Sequence, residues 1–173
     1  MNLEILQDTR CLLLGSGSLG CQVARNLLSW GYTKLTFVDN GRVSYSNPVR
    51  QCLFTFEDSR ADDNFKATIA AKRITEVYPK VEAQGVVMSI PMPGHTVAEE
   101  KYEELFSNTE QLEDLIRNHD VIFLLLDSRE ARWLPTVLAQ VHRKLCITVA
   151  LGFETFVVMR HGVSAEEQKE DPS

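Results

Sequence analysis

The segment CLLLGSGSLG, from Cys11 to Gly20, gives the strongest indication of the fold. Four apolar residues typical of a buried strand run directly into glycines with G-x-G-x-x-G spacing. A helical pattern follows, whose apolar face comprises Gly20, Val23, Ala24, Leu27 and Leu28. Glycines let a backbone approach a phosphate closely, and the start of a helix presents free N–H groups to it. This order of strand, glycine turn and helix therefore predicts a nucleotide-binding turn.

A second apolar stretch, KLTFVDN, ends on Asp39, nineteen residues after Gly20. At this distance an acidic residue reaches the hydroxyls of a ribose. The expected nucleotide contacts of this half are Gly15, Gly17, Ser18, Leu19, Gly20 and Asp39. A dinucleotide and ATP would both use Asp39, so it does not distinguish between them. Asp39 could also cap a turn at Asn40-Gly41.

Strands and helices alternate along the rest of the chain. The predicted helices are Lys66–Pro79, a helix whose last residues are 114–118, and 129–142. The predicted strands are Val81–Met88, 119–127, 144–150 and 152–162. The polar segment 91–111 is expected to be a surface excursion with some helix. This order predicts an α/β fold that is Rossmann-like and doubly wound, with a mostly parallel sheet and helices on both faces. We expect one domain over 1–163 and an acidic, flexible tail over 164–173.

Composition limits the classes of function. The 173 residues are 44% hydrophobic and 24% charged, which is typical of a globular domain. A net charge of −6 without a run of basic residues argues against a nucleic-acid partner. No stretch approaches the 18 apolar residues of a membrane span, and the N-terminus does not resemble a secretory signal, so a cytoplasmic location is expected. The four cysteines have irregular spacing, which favours reduced thiols.

The run VSYSNPVRQ, Val43–Gln51, favours phosphate chemistry over hydride transfer. The planar guanidinium of Arg50 fits a polyphosphate, and Lys66 at the start of the next helix adds a second positive charge. Together they could offset the charge that builds up as pyrophosphate leaves. From composition alone, two such residues would more often be solvated surface residues, and the flanking motif is what favours the site.

Asp127 follows the apolar run VIFLLL, which places its carboxylate at the carboxyl edge of the predicted sheet. A hard oxygen ligand at this edge suits magnesium. Asp127 could instead cap the helix that begins near Arg129. Arg132 and Trp133, on the same helix, are weaker candidates that could also serve packing.

Six segments together closely resemble the adenylation domains of ThiF/MoeB-type enzymes, in particular the activating enzymes of the autophagy ubiquitin-like modifiers. They are VDN, SYSNPVRQ, Lys66-Ala67, SIPMPGH, FLLLDSREARWLP and ALGFETFVVMRHG. The resemblance implies that the nucleotide phosphates and sugar are contacted by Asn47, Arg50, Gln51 and Lys66. It also implies that Asp127 holds the magnesium ion of MgATP, and that the domain forms a homodimer. Asp62-Asp63-Asn64-Phe65 departs from the glycine-lysine loop usual in this family, which leaves the direction of Lys66 open.

The resemblance further implies that the intact protein uses MgATP to adenylate the C-terminal glycine of autophagy ubiquitin-like modifiers, with Arg50, Lys66 and Asp127 as catalytic residues. The acyl group would then pass to a cysteine in a later segment, absent from this truncated chain, and on to conjugating enzymes. Cys52 is interpreted as structural. Two alternatives stay open: a non-catalytic nucleotide-binding or dimerisation module of the same fold, and an NAD-dependent oxidoreductase, which Arg50, Lys66 and Asp127 disfavour.

Overall fold

The computed structural model describes residues 3–94 and 98–162. The described strands are β1 (Arg10–Leu14), β2 (Lys34–Val38), β3 (Glu82–Val86), β4 (Val121–Leu124), β5 (Leu145–Leu151) and β6 (Phe156–His161). The described helices are α1 (Leu3–Asp8), α2 (Ser18–Trp30), α3 (Lys66–Val77), α4 (Tyr102–Arg117) and α5 (Glu130–Val141). Three short 3₁₀ turns lie at Asn47–Val49, Glu57–Arg60 and Glu99–Lys101. Strands thus alternate with helices up to β5, as predicted.

The strands form one sheet in the order β3-β2-β1-β4-β5-β6. Neighbouring strands from β3 to β5 are parallel, and β6 alone of the described strands runs antiparallel, beside β5. The chain winds outward from β1 to β3 and then returns to place β4 on the other side of β1. This is the strand order of Rossmann folds, whose ligands bind where the order reverses, at the carboxyl ends of β1 and β4.

Helices cover both faces of the sheet, and β1 contributes to both layers. Cys11 and Leu13 pack with α2 and α3, whereas Leu12 and Leu14 pack with α4 and α5. All four side chains are fully buried. Alternate residues of a strand point to opposite faces, so an unbroken apolar run is what a strand between two helical layers requires. The predicted doubly wound, mostly parallel architecture is confirmed.

Several element ends differ from the prediction. Helix α3 begins at Lys66 as predicted but ends at Val77, two residues before the predicted end at Pro79, and both Val77 and the following Tyr78 are exposed. The apolar positions 74, 77 and 78 are consistent with one helical face, yet that face leaves the core at the last turn. Strand β4 ends at Leu124, so Asp127 lies three residues beyond it, in the following turn. Asp127 nevertheless stays at the carboxyl edge of the sheet.

The final predicted strand is present as β6, and its residues from Phe156 to Arg160 are exposed, so neither face of this edge strand is covered by the described chain. The described parts of segment 91–111 contain the 3₁₀ turn and the start of α4, in agreement with a surface excursion. The predicted tail over 164–173 lies outside the described residues. Among the helices that the structure describes, none has the length and hydropathy needed to cross a bilayer.

Candidate functional site

A cleft of about 590 Å³ opens at the carboxyl ends of β1, β2 and β4. Its walls include eight of the residues predicted from the sequence: Gly17, Ser18, Leu19, Asp39, Arg50, Gln51, Lys66 and Asp127. The other three, Gly15, Gly20 and Asn47, are not on its walls. Positions more than a hundred residues apart in the sequence are therefore brought to one site, at the place where ligands bind in this architecture.

The three glycines of the turn have different roles. Gly15 has φ 109°, and a Cβ there would lie 2.8 Å from the carbonyl oxygen of Leu125. A Cβ on Gly20 would collide with the carbonyl oxygen of Gly15. Both glycines are therefore required by the fold itself. A Cβ on Gly17 would meet no atom within 4 Å, although Gly17 lines the cleft. Packing within the protein therefore does not require glycine at position 17. A ligand that approached the backbone closely there would require it.

Helix α2 directs its N-terminus into this cleft. Gly17 is the N-cap residue, and no side chain caps the helix. The hydrogen bond from Cys21 N to Gly17 O closes the first helical turn. Ser18 and Leu19, whose N–H groups precede that bond and have no helical acceptor, line the cleft. They form a site with the geometry and the partial positive charge that suit an anion.

Asp39 connects the glycine turn to the loop that follows β2. Its Oδ2 accepts a hydrogen bond from Ser16 N at 2.8 Å, and its Oδ1 accepts one from Gly41 N at 2.7 Å. The turn-capping role considered from the sequence is therefore present. Each carboxylate oxygen can accept a further hydrogen bond. Asp39 can thus hold the turn and still accept hydrogen bonds from a ribose.

Arg50 and Gln51 directly follow the 3₁₀ turn Asn47–Val49, which hydrogen bonds of Asn47 stabilise. Asn47 is buried, its Oδ1 accepts from Ser44 N at 3.1 Å, and its carbonyl accepts from the N–H groups of Arg50 and Gln51. These contacts place Asn47 behind the cleft; its predicted contact with the nucleotide stays a prediction. Gln51 is 3% exposed, and its Oε1 has no hydrogen-bond partner within the described chain. A buried acceptor without a donor is costly, and a ligand donor would satisfy it.

Lys66 is the first residue of α3, and its backbone N–H donates to Gly41 O at 2.9 Å. Its methylene groups pass over Gly41: Cδ and Cε would lie 3.6 and 3.7 Å from a Cβ at that position. Neither Lys66 nor Arg50 has an ion-pair partner in the part of the chain that is described. Two cations without an ion-pair partner in the described chain therefore face the cleft, beside the N–H groups at the start of α2.

Asp127 is exposed on the opposite wall of the cleft. It does not cap α5: the N-terminal contact of that helix is from Ala131 N to Ser128 Oγ, at 3.4 Å. Over residues 3–94 and 98–162, no group of three or more metal-ligating side chains comes together. A single carboxylate still fits magnesium that takes its other ligands from phosphates and water.

The sequence prediction did not identify two further parts of the cleft. The first is an apolar wall made by Met88, Ile90, Leu125 and Ala131. Ser89, Ile90 and Met92, which follow the carboxyl end of β3, also line the cleft. The second is the contact that holds Arg132, itself a weaker candidate from the sequence: its Nε and Nη2 donate to Leu126 O at 3.2 and 2.7 Å. This contact fixes the guanidinium at the cleft wall.

The strand order and the cleft at the carboxyl edge of the sheet define a Rossmann-like α/β domain, and the chain belongs to the ThiF family, whose model matches residues 2–171. It is 54% identical over 171 residues to the ubiquitin-like modifier-activating enzyme ATG7 of Mus musculus. It is 52% identical over 170 residues to the enzyme of that name in Dictyostelium discoideum. Both alignments cover 98% of this chain and 24% of the relative, so the chain spans about a quarter of the length of these relatives.

Solved structures show the same fold at low sequence identity. E. coli MccB, crystallised with AMPCPP and MccA, matches 94% of this chain with a TM-score of 0.73 and 15% identity, over 43% of its own chain. E. coli tRNA N6-threonylcarbamoyladenosine dehydratase, TcdA, crystallised with ATP, matches 84% of this chain with a TM-score of 0.66 and 16% identity, over 52% of its own chain.

Proposed function

We propose that this chain is the nucleotide-binding part of an enzyme that uses MgATP to adenylate the C-terminal glycine of autophagy ubiquitin-like modifiers. In this reaction a carboxylate oxygen of the modifier attacks the α-phosphorus of ATP. An acyl-adenylate forms and pyrophosphate leaves. The names of the relatives from Mus musculus and Dictyostelium discoideum support the class of substrate, and the ThiF family supports the class of reaction.

The observation that carries the proposal is the pair of cations Arg50 and Lys66, which have no ion-pair partner in the described chain and lie in one cleft with Ser18 and Leu19 at the start of α2. A polyphosphate carries several negative charges, and these groups would hold it without first breaking an ion pair of the protein. The open space at Gly17 leaves room for a phosphate. Asp39 and the unpartnered Oε1 of Gln51 supply acceptors for sugar hydroxyls.

The same residues would act during the reaction. Negative charge accumulates on the phosphate oxygens as the bond to pyrophosphate breaks, and fixed cations stabilise that charge more in the transition state than in bound ATP. Arg50 and Lys66 are placed for this role. Asp127 would hold the magnesium ion, which supplies further neutralisation of phosphate charge when bound. The apolar wall around Met88 and Ile90 offers a surface for the adenine ring.

The partners follow from the same proposal. Beyond the modifier, the intact protein would meet the conjugating enzymes of its pathway, act in the cytoplasm and form a homodimer. The names of the curated relatives support the modifier and the conjugation pathway. The cysteine that would accept the modifier as a thioester is proposed to lie outside this chain.

Binding of nucleotides by the 173-residue chain tests the first half of the proposal. Titration calorimetry is expected to show weaker binding of NAD than of MgATP. Arg50→Ala should weaken ATP binding by about 1.5–3 kcal/mol, because it removes a charged hydrogen-bond donor. Arg25→Ala, on the exposed side of α2, is the matched control and should leave ATP affinity unchanged. NAD binding as tight as ATP binding would favour the oxidoreductase instead.

Exchange of labelled pyrophosphate into ATP tests the second half. With the intact protein and a glycine-terminated modifier, exchange is expected only when both modifier and magnesium are present, because the label enters through reversal of the adenylation step. ATP binding without any exchange would favour the non-catalytic module.

A further inference from the structure

The loop before Lys66 is paired with the loop after Asp39. Lys66 N donates to Gly41 O at 2.9 Å, and Val43 N donates to Asn64 O at 2.8 Å. Between them, Arg42 and Phe65 form an antiparallel bridge. Residues 41–43 and 64–66 therefore run side by side as a two-stranded ladder, which ends at the backbone of Lys66.

Asn64 reinforces this ladder with its side chain. Its Oδ1 accepts a hydrogen bond from Arg42 Nη1 at 2.7 Å. Its Nδ2 donates to Val43 O at 3.2 Å and, more weakly, to Ser59 O at 3.4 Å. One amide thus joins three segments of the chain: the loop after Asp39, the turn around Ser59 and the approach to α3. We call these contacts, together with those of Arg42, the Asn64 clamp.

Arg42 completes the clamp from the outside. Its guanidinium carbon lies 3.9 Å from the centre of the Phe65 ring, a favourable cation–π distance. Its Nη1 also donates to Asp62 O at 3.3 Å. The positions 62–65 are those at which the sequence departs from the glycine-lysine loop of the family. A polar and aromatic set of contacts therefore holds this loop here.

The clamp is connected to the cleft on both sides. Gly41 N donates to Asp39 Oδ1, and the methylene groups of Lys66 lie over Gly41. A lysine side chain has several rotatable bonds, so the region its ammonium group reaches depends on where its Cα is held. Fixing the backbone of Lys66 against Gly41 narrows that region, and the cleft beside Asp39 lies within it. A loop without the clamp would leave Lys66 free to turn toward solvent.

We propose that Asn64, braced by Arg42 and Phe65, is the positioning residue that directs Lys66 at the polyphosphate in this protein. The inference rests on the proposed function, because it assigns to Lys66 a contact with phosphate. Asn64 itself does not line the cleft. It acts through the backbone of Lys66, and its substitution should affect ligands that carry phosphates and spare those that do not.

The test compares ATP with adenosine on the 173-residue chain by NMR titration, which reaches millimolar dissociation constants. Lys66→Ala is expected to weaken ATP binding about tenfold, and Asn64→Ala about three- to tenfold, with adenosine changed by less than about twofold. In the Lys66→Ala background, Asn64→Ala should change ATP binding by less than about twofold, because the group it positions is gone. Asn118→Ala, whose Nδ2 donates to Asp114 O far from the cleft, is the control.

The outcomes separate the inference from the proposed function. Lys66→Ala without effect on ATP would overturn both the inference and the role of Lys66. If Lys66→Ala weakens ATP binding and Asn64→Ala leaves it unchanged, the inference is overturned and the proposed function is not. Equal losses of ATP and adenosine in Asn64→Ala, or an equal loss in both backgrounds, would show a merely structural role. If Asn64→Ala does not fold, Arg42→Gln is the deciding variant. It is expected to lose affinity for ATP but not for adenosine. Unchanged ATP binding in Arg42→Gln would overturn the inference.

Discussion

Asp58 lies in the guanidinium fork of Arg73, with Arg73 Nη2 2.6 Å from Oδ1 and Nε 3.1 Å from Oδ2. Thr55 adds hydrogen bonds to Oδ2 from its N–H and its hydroxyl, at 2.7 and 3.0 Å. Burial opposes ionisation of Asp58, but the hydrogen bonds from Arg73 and Thr55 outweigh it and hold the pKa of Asp58 below its ordinary value. The pair fastens the loop that follows Gln51 to α3, the helix that begins at Lys66.

Asp58→Asn is expected to destabilise the chain by about 2–4 kcal/mol at pH 7, since it leaves Arg73 without its main partner. Arg73 is about a quarter exposed and keeps its pair with Glu76, which limits the loss. Because the pKa of Asp58 is lowered in the folded state, the stabilisation is present above pH 3.8 and is lost as the pH falls through the lowered value. Urea unfolding of both proteins from pH 7 to pH 2.5 measures this.

The parent and Asp58→Asn should therefore converge in stability in acid. Asp63→Asn, at an exposed carboxylate of the neighbouring loop, is the control and should follow the parent at every pH. A difference between parent and Asp58→Asn that stays constant down to pH 2.5 would contradict the assignment.

Gly17→Ala and Gly20→Ala should have opposite consequences although they lie three residues apart. The new Cβ at position 20 collides with Gly15 O, so this variant should lose about 2 kcal/mol or more of stability. The Cβ at position 17 meets nothing, so stability should stay within about 0.5 kcal/mol, while ATP affinity falls about tenfold or more because the methyl group fills the phosphate space. Urea unfolding and ATP titration of both variants are the measurements. Full ATP affinity in a folded Gly17→Ala would place the phosphates elsewhere.

Asp127→Asn should remove the magnesium dependence of ATP binding and leave the fold intact, because it keeps the shape of the side chain and deletes its charge. Thermal unfolding with ATP, with and without Mg²⁺, measures this: the parent should gain stability from the metal and the variant should not. Glu130→Gln, at a nearby carboxylate in the first turn of α5, should behave as the parent. An Asp127→Asn that keeps the full metal-dependent gain would show that magnesium is held without Asp127.

The sequence predicted the parts of the molecule that depend on periodicity and on the backbone. The apolar run of β1 and the glycine spacing indicated a buried strand that runs through a tight turn into a helix, and the structure has both. Asp39 and Asp127 were expected at one edge because they follow strands, Lys66 because it starts a helix, and Arg50 because of the run VSYSNPVRQ and the family resemblance. All four line one cleft. This edge is a property of the topology, so it can be anticipated without coordinates.

Side-chain pairings that involve loops could not be predicted in this way. Asn64 bonds with Arg42, and Asp58 with Arg73, across separations of 22 and 15 residues. Such contacts have no periodic signal, because they depend on how irregular segments cross in space. The antiparallel direction of β6 was not predicted for a related reason: side chains alternate between the two faces of a strand in the same way whether it runs parallel or antiparallel to its neighbour. The exposure of Val77 depends on where α3 leaves the core.

The four cysteines should differ sharply in reactivity. Burial raises the pKa of Cys11 to about 12 and those of Cys21 and Cys146 to about 11, so their thiolates are scarce at pH 7.5. Cys52 is exposed. Native alkylation with iodoacetamide at pH 7.5 is therefore expected to give one adduct by mass spectrometry, which is absent from Cys52→Ser, whereas alkylation in urea gives four. We further expect no DTT-labile thioester at any of the four when the chain is incubated with modifier, ATP and magnesium. A thioester that Cys52→Ser abolishes would instead make Cys52 a catalytic nucleophile.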